Sequence, residues 1–168
     1  MSDYLLPDEL VDKAREVVEA NRTAGRRVAL AESCTGGLVS AALTEIAGSS
    51  EMFEAGYVTY SNSAKLAALR VGNEVVETFG AVSIATAWAM AQGALEASDA
   101  DVAVAITGIA GPDGGSVQKP VGTVFFARAT RNCPPNEIIA DQKLFDASGG
   151  RSGIRLQAAL CALELLLP

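Results

Sequence analysis

The chain has 168 residues, 49% apolar and 20% charged, with a net charge of −7 and a pI near 4.6. Those proportions fit one soluble globular domain with a sizeable core. The acidic balance, without clustered Lys and Arg, argues against a nucleic-acid-binding surface. There is no histidine, which removes Ser-His-Asp and Cys-His mechanisms and the commonest zinc ligand.

In chain order, Pro7 precedes an amphipathic helix from Asp8 to Asn21, with Leu10, Ala14, Val17 and Val18 on one stripe. "TAGRR" stops it. "RVALAE" is a short buried strand, after which Thr35, Gly36 and Gly37 open a helix through Leu43 and Ile46 to Gly48. "FEAGYVTYS" is aromatic and β-branched, as strands are, and "NSAKLAALRV" reads as a helix capped by Asn62 or Ser63. A further helix and the long Ala-rich "VSIATAWAMAQGALEAS" follow. "DVAVAITG" is a continuous apolar run of the kind a central strand shows when both faces are covered. "VGTVFFARAT" and "EIIADQKLF" form a hairpin across "RNCPPN", and "GIRLQAALCALELLL" is apolar nearly all round, as a buried or subunit-interface helix would be.

This succession predicts an α/β fold, a three-layer α/β/α sandwich with a mixed, mostly parallel sheet, as a single domain over 1–168. Ligands in such folds collect at the carboxyl ends of strands. Three segments sit at such ends: "AESCTGG", "TYSNSAK" and "ITGIAGPDGG". No run approaches the roughly 18 apolar residues that span a bilayer, and "MSDYLLPDEL" is not a secretory leader, so a cytoplasmic protein without a membrane partner is expected. Cys34, Cys133 and Cys161 lack metal-ligand spacing and read as reduced thiols.

In "ESCTGG" the glycines suit close approach to N–H groups at a helix start, which favours anions, and Ser33 and Thr35 add hydroxyls. A capped strand-to-helix turn is the plainer account of the same residues. Lys65 is the only lysine between Lys13 and Lys119. A lysine base needs its pKa lowered from about 10.4 to about 7 or 8, roughly 4 kcal/mol. Both a first-turn position, where the helix dipole disfavours the charge, and the apolar neighbours Ala64, Leu66 and Ala67 push that way. A solvated surface lysine is the competing reading. Thr107 ends the best strand and is followed by Gly108, whose backbone suits a ligand. In "GGRSGIR", Arg151 and Arg155 stand one turn apart on one helix face, opposing the macrodipole unless they share an anionic ligand or pair with Asp146 or Glu164.

The segments "AESCTGG", "AGSSEMFEAGYVTYSNSAK", "GAVS" and "GIAGPDGGSVQKPVGTVFFA" together resemble the C-terminal domain of the competence/damage-inducible CinA family, in order and over nearly the whole chain. The resemblance implies a nicotinamide mononucleotide (NMN) deamidase in pyridine nucleotide salvage, releasing nicotinic acid mononucleotide and ammonia, with an α/β/α fold, no cofactor or metal, and a homodimer. By motif position it puts the catalytic serine on Ser50, the lysine on Lys65 and the tyrosine on Tyr60. It matches Ser33, Thr107 and an arginine of "GGRSGIR", Arg151, to the other active-site positions, and the reading of the residues themselves adds Thr35, Gly36, Gly108 and Arg155 as substrate contacts. Larger family members carry an N-terminal pyrophosphatase-like domain; with the first strand beginning near Arg27, that domain and its metal are expected to be absent. Two other readings stay open: the same amidase with Ser33 or Cys34 as nucleophile, and a non-catalytic nucleotide-binding or partner module linked to competence or DNA damage.

Overall fold

The computed structural model describes residues 3–168. Five strands, β1 (Val28–Glu32), β2 (Phe53–Val58), β3 (Val102–Gly108), β4 (Thr123–Thr130) and β5 (Ile139–Leu144), form one sheet in the order β2-β1-β3-β4-β5. β1 runs parallel to both β2 and β3, whereas β3–β4 and β4–β5 are antiparallel. The sheet is mixed as expected, and its pairings divide evenly between the two kinds. A parallel neighbour needs a long crossover, here supplied by helices, while the short β4–β5 connection permits only a hairpin.

Helices α1 (Asp8–Ala24), α2 (Leu38–Thr44) and α6 (Gly150–Leu165) cover one face, over a core that includes Leu30, Val104, Ile106 and Phe126. Helices α3 (Asn62–Leu69), α4 (Asn73–Phe79) and α5 (Ile84–Glu96) cover the other. That second face is built from small residues, with Ala29, Ala31, Ala103 and Ala105 buried beneath the Ala-rich α5. Small side chains on both surfaces let helix and sheet approach closely. On the outer side of that layer α5 also meets α3 closely: at Gly93 a Cβ would lie 2.0 Å from the Leu69 carbonyl oxygen.

β1 and β3 are buried along almost their whole length, which explains why both read as unbroken apolar runs. Glu32, the last residue of β1, is the exception in character: a carboxylate with no exposure at all. α6 buries Ile154, Ala158, Ala159, Ala162 and Leu163, and its remaining leucines are only half covered. The cap of α3 is Ser61, one residue earlier than the sequence suggests, with its Oγ accepting from the Ala64 N–H at 3.1 Å.

Candidate active site

The carboxyl ends of β1, β2 and β3 meet the loop before α5 and the start of α6 around a cavity of about 230 Å³. Ser33 and Cys34 line it from the end of β1, Thr107, Gly108 and Ala110 from β3 and the loop beyond. Tyr60 and Lys65 come from the β2–α3 segment, Ala81 and Val82 from the α4–α5 loop, and Arg151 from α6.

The turn after β1 takes its shape from Gly36 (φ 60°) and Gly37 (φ 97°), both left-handed, a conformation that side chains with a Cβ resist. It presents Ser33 on the cavity wall. α3 then directs Lys65 inward, 1% exposed, so that its Nζ lies 2.9 Å from Ser33 Oγ, 2.8 Å from the Thr59 carbonyl oxygen and 3.1 Å from that of Tyr60. Among the described residues Lys65 forms no ion pair. Burial pulls its pKa below the ordinary lysine value.

Nζ donates to the two carbonyl oxygens and contacts Ser33 Oγ at its third position. In the neutral amine, which burial favours, that third position is the lone pair, placed to take the Ser33 proton. A serine beside an unpaired, desolvated lysine is the arrangement of a nucleophile and its base. Cys34 borders the same cavity, but burial pushes its thiol up to about 11, so at neutral pH it is protonated and a poor nucleophile.

Ser50 lies elsewhere. It is exposed, in the short 3₁₀ turn Ser49–Glu51 that precedes β2, whereas Lys65 follows β2. β2 advances roughly 20 Å over its length at about 3.3 Å per residue, which puts Ser50 at the opposite end of the sheet from the lysine. Within one chain this serine cannot give its proton to Lys65. Tyr60 is at the cavity, yet it is the backbone carbonyl that holds the lysine; the phenol oxygen instead accepts from Arg151 Nη2 at 3.0 Å.

The other expected contacts sort by geometry. Thr107 lines the cavity while its Oγ1 donates to the Ala81 carbonyl at 2.8 Å, tying β3 to the α4–α5 loop. Gly108 packs so closely on β4 that a Cβ would lie 2.6 Å from Val124 Cγ2. Thr35 is fully buried and donates to Glu32, and Gly36 shapes the turn; neither borders the cavity. Arg151 faces the cavity, its Nη1 also donating to the Gly111 carbonyl at 2.6 Å. Arg155 is committed to the turn, donating to the carbonyls of Cys34 at 3.1 Å and Thr35 at 3.0 Å.

The N–H groups of Val39 and Ser40 at the start of α2 are also committed, to an anion of the protein itself and not to a ligand. Val39 and Ser40 both donate to the Glu32 carboxylate at 3.0 Å. Sequence reading passed over Glu32, although a carboxylate ending an otherwise apolar strand just before a helix start is a visible signal for such a contact.

A family model for the CinA C-terminal domain matches residues 11–168. The chain belongs to the CinA C-terminal domain family. The nicotinamide-nucleotide amidohydrolase PncC of Escherichia coli (strain K12) is 49% identical over 158 residues, 94% of this chain and 93% of that one. A CinA-like protein of Syntrophobacter fumaroxidans is 49% identical over 95% of this chain, which spans only 36% of that longer protein. Among solved structures, the competence/damage inducible protein CihA from Agrobacterium tumefaciens superposes with a TM-score of 0.91 at 48% identity, covering 99% of this chain and 97% of that one. The CinA fold thus places the Ser33–Lys65 pair where open α/β sheets bind ligands.

Proposed function

We propose that this chain is a nicotinamide-nucleotide amidohydrolase that converts the NMN carboxamide to the acid and ammonia, with Ser33 as nucleophile and Lys65 as its base. The name and high identity of the Escherichia coli relative support the reaction. The observation that carries the chemistry is the buried, unpaired Lys65 Nζ at 2.9 Å from Ser33 Oγ.

In the first half-reaction neutral Lys65 takes the Ser33 proton as Oγ bonds to the carboxamide carbon, and the C=O electron pair moves onto oxygen. The tetrahedral oxyanion needs donors. Among the described residues, the N–H groups of Cys34 and Thr35 donate to no oxygen of the protein. Cys34 N–H, directly after the nucleophile, occupies the place from which strand-to-helix nucleophile turns supply an oxyanion donor. Collapse breaks the C–N bond, the nitrogen leaves with the proton held by Lys65, and an ester on Ser33 remains. Water then gives a proton to Lys65, attacks the ester carbon and releases the carboxylate, and the lysine returns its proton to Ser33. The sum is amide plus water to acid plus ammonia, with no cofactor assigned to any step.

The cavity is small for a whole nucleotide. The pyridine ring fits inside, and the 5′-phosphate reaches the rim at Arg151, whose guanidinium is suited to bidentate contact. Tyr60, at the same rim, orients that guanidinium through its hydroxyl. The same reading keeps the chain a cytoplasmic homodimer without a nucleic-acid or membrane partner; no helix among the described residues is long and apolar enough to cross a membrane. Ammonia release from a panel of pyridine nucleotides tests the reaction. NMN turnover that disappears in Ser33→Ala and Lys65→Met supports the pair, and wild-type-like turnover by either variant refutes it.

A further inference from the structure

Among the described residues Glu32 is the one charged side chain with no solvent exposure, and the steps above do not use it. Four donors converge on its carboxylate. Oε1 accepts from Thr35 Oγ1 at 2.7 Å and the Val39 N–H at 3.0 Å, and Oε2 accepts from the Ser40 N–H at 3.0 Å and Ser40 Oγ at 2.7 Å. Among the described residues no Lys or Arg pairs with it. Its charge is held wholly by backbone amides and hydroxyls on the turn and the start of α2.

A helix start needs much less than this. A serine or asparagine cap satisfies one or two amides without burying a charge. What the carboxylate adds is reach in two directions: it is the residue immediately before Ser33, and it grips the chain on the far side of the Gly36–Gly37 bend. The grip depends on a neighbour as well. At Gly56 in β2 a Cβ would lie 2.3 Å from Ser40 Oγ, so glycine there leaves the room in which that hydroxyl reaches Glu32.

We propose that Glu32 is a positioning residue for the reaction, its buried carboxylate locking the β1–α2 turn so that Ser33 Oγ stays in line with Lys65 Nζ. This rests on Ser33 being the nucleophile. An amide cannot substitute, because Gln presents an NH₂ where the four partners all offer protons. A turn relaxed by about 1 Å misaligns Oγ with both base and substrate, an error that costs on the order of 100-fold in rate.

The test compares Glu32→Gln, Gly56→Ala and Ser33→Ala by steady-state ammonia release from NMN across pH, by the rate of Ser33 labelling with a fluorophosphonate, and by thermal melting. Glu32→Gln is expected to fold, to lose roughly 10- to 100-fold in kcat with KM within about threefold, and to lose labelling rate by a similar factor. Its acid limb is expected at the wild-type pH, since Lys65 keeps its surroundings. Gly56→Ala leaves the carboxylate intact but displaces Ser40, and is expected to lower kcat about 3- to 10-fold with KM unchanged. A folded Glu32→Gln with kcat within about twofold of wild type, or a loss confined to KM, overturns the proposal. If Glu32→Gln does not fold, an unchanged kcat in Gly56→Ala overturns it. Turnover by Ser33→Ala at the wild-type rate refutes the nucleophile itself, an outcome separate from a fault in the Glu32 assignment.

Discussion

Replacing Cys34 by aspartate tests the neutral-lysine mechanism while leaving Ser33 and Lys65 in place. Cys34 is 5% exposed and lines the same cavity as both. In the wild type its thiol is uncharged at pH 7, so it places no full negative charge beside Lys65. A carboxylate at position 34 changes that, and Arg155, which donates to the Cys34 carbonyl oxygen, helps to keep it ionised. An opposite charge within about 4–6 Å raises a lysine pKa by roughly 1–3 units. At about 1.36 kcal/mol per unit this is about 1.4–4 kcal/mol in favour of the form that cannot act as base.

The sign follows directly. A higher Lys65 pKa means less neutral amine at any pH on the acid limb, so kcat/KM at pH 7 falls about 10- to 1,000-fold and recovers as the pH is raised through the shifted value. The assay is ammonia release from NMN between pH 6 and 10, with Cys34→Ala as control, whose acid limb is expected to stay where the wild type has it. A folded Cys34→Asp enzyme whose acid limb does not move refutes the role of Lys65 as base. An inactive but folded Cys34→Ala would instead make the thiol the nucleophile.

Ser33→Ala is expected to lower kcat roughly 10⁴-fold or more, while Ser50→Ala stays within about twofold of wild type, both measured by ammonia release. On the proposed phosphate contact, Arg151→Ala removes a charge-assisted hydrogen bond worth about 1.5–3 kcal/mol, so KM for NMN is expected to rise roughly 10- to 100-fold. Gly93→Ala drives a methyl group against the Leu69 carbonyl oxygen and is expected to cost about 1–3 kcal/mol in thermal or urea unfolding, with activity kept at low temperature. Lys65 has its folded pKa below its unfolded one, so the unfolded chain binds the extra proton between the two. Its cost to stability is therefore full below the folded pKa and fades as pH rises toward 10.5, and the stability difference between wild type and Lys65→Met is expected to shift accordingly between pH 7 and 10.

The layers, the strands and the central place of "DVAVAITG" were legible because burial on both faces writes itself as an unbroken apolar run. Lys65 was legible as well: the start of α3 and its apolar neighbours both argue for a depressed pKa. Which serine stands beside Lys65 was harder. Ser50 and Lys65 flank a single strand, and residues on either side of a strand stand at opposite ends of the sheet, so strand length alone separates them. Ser33 and Lys65, more distant in sequence, both follow strands that lie parallel and adjacent, and that pairing is a property of the folded sheet. Glu32 was hidden for a different reason. Its partners lie up to eight residues ahead, across a bend that exists only because Gly36 and Gly37 take left-handed conformations.

The same turn decides which groups remain for the substrate. Glu32 takes the N–H groups of Val39 and Ser40 and the hydroxyl groups of Thr35 and Ser40, while Arg155 takes the carbonyl oxygens of Cys34 and Thr35. One charge of each sign thus fixes the turn, the anion through its donors and the cation through its acceptors. With the first amides of α2 occupied, that helix start has no amide at Val39 or Ser40 to offer a phosphate. The Cys34 and Thr35 amides stay free of protein oxygens, next to Ser33, where the proposed mechanism needs oxyanion donors. With Arg155 fixed on the turn, Arg151 is the arginine of this pair that lines the cavity, which is why the proposed phosphate contact falls to it. The two arginines one turn apart on α6 are therefore held differently, and freeing Arg155 for a ligand would require the turn itself to open.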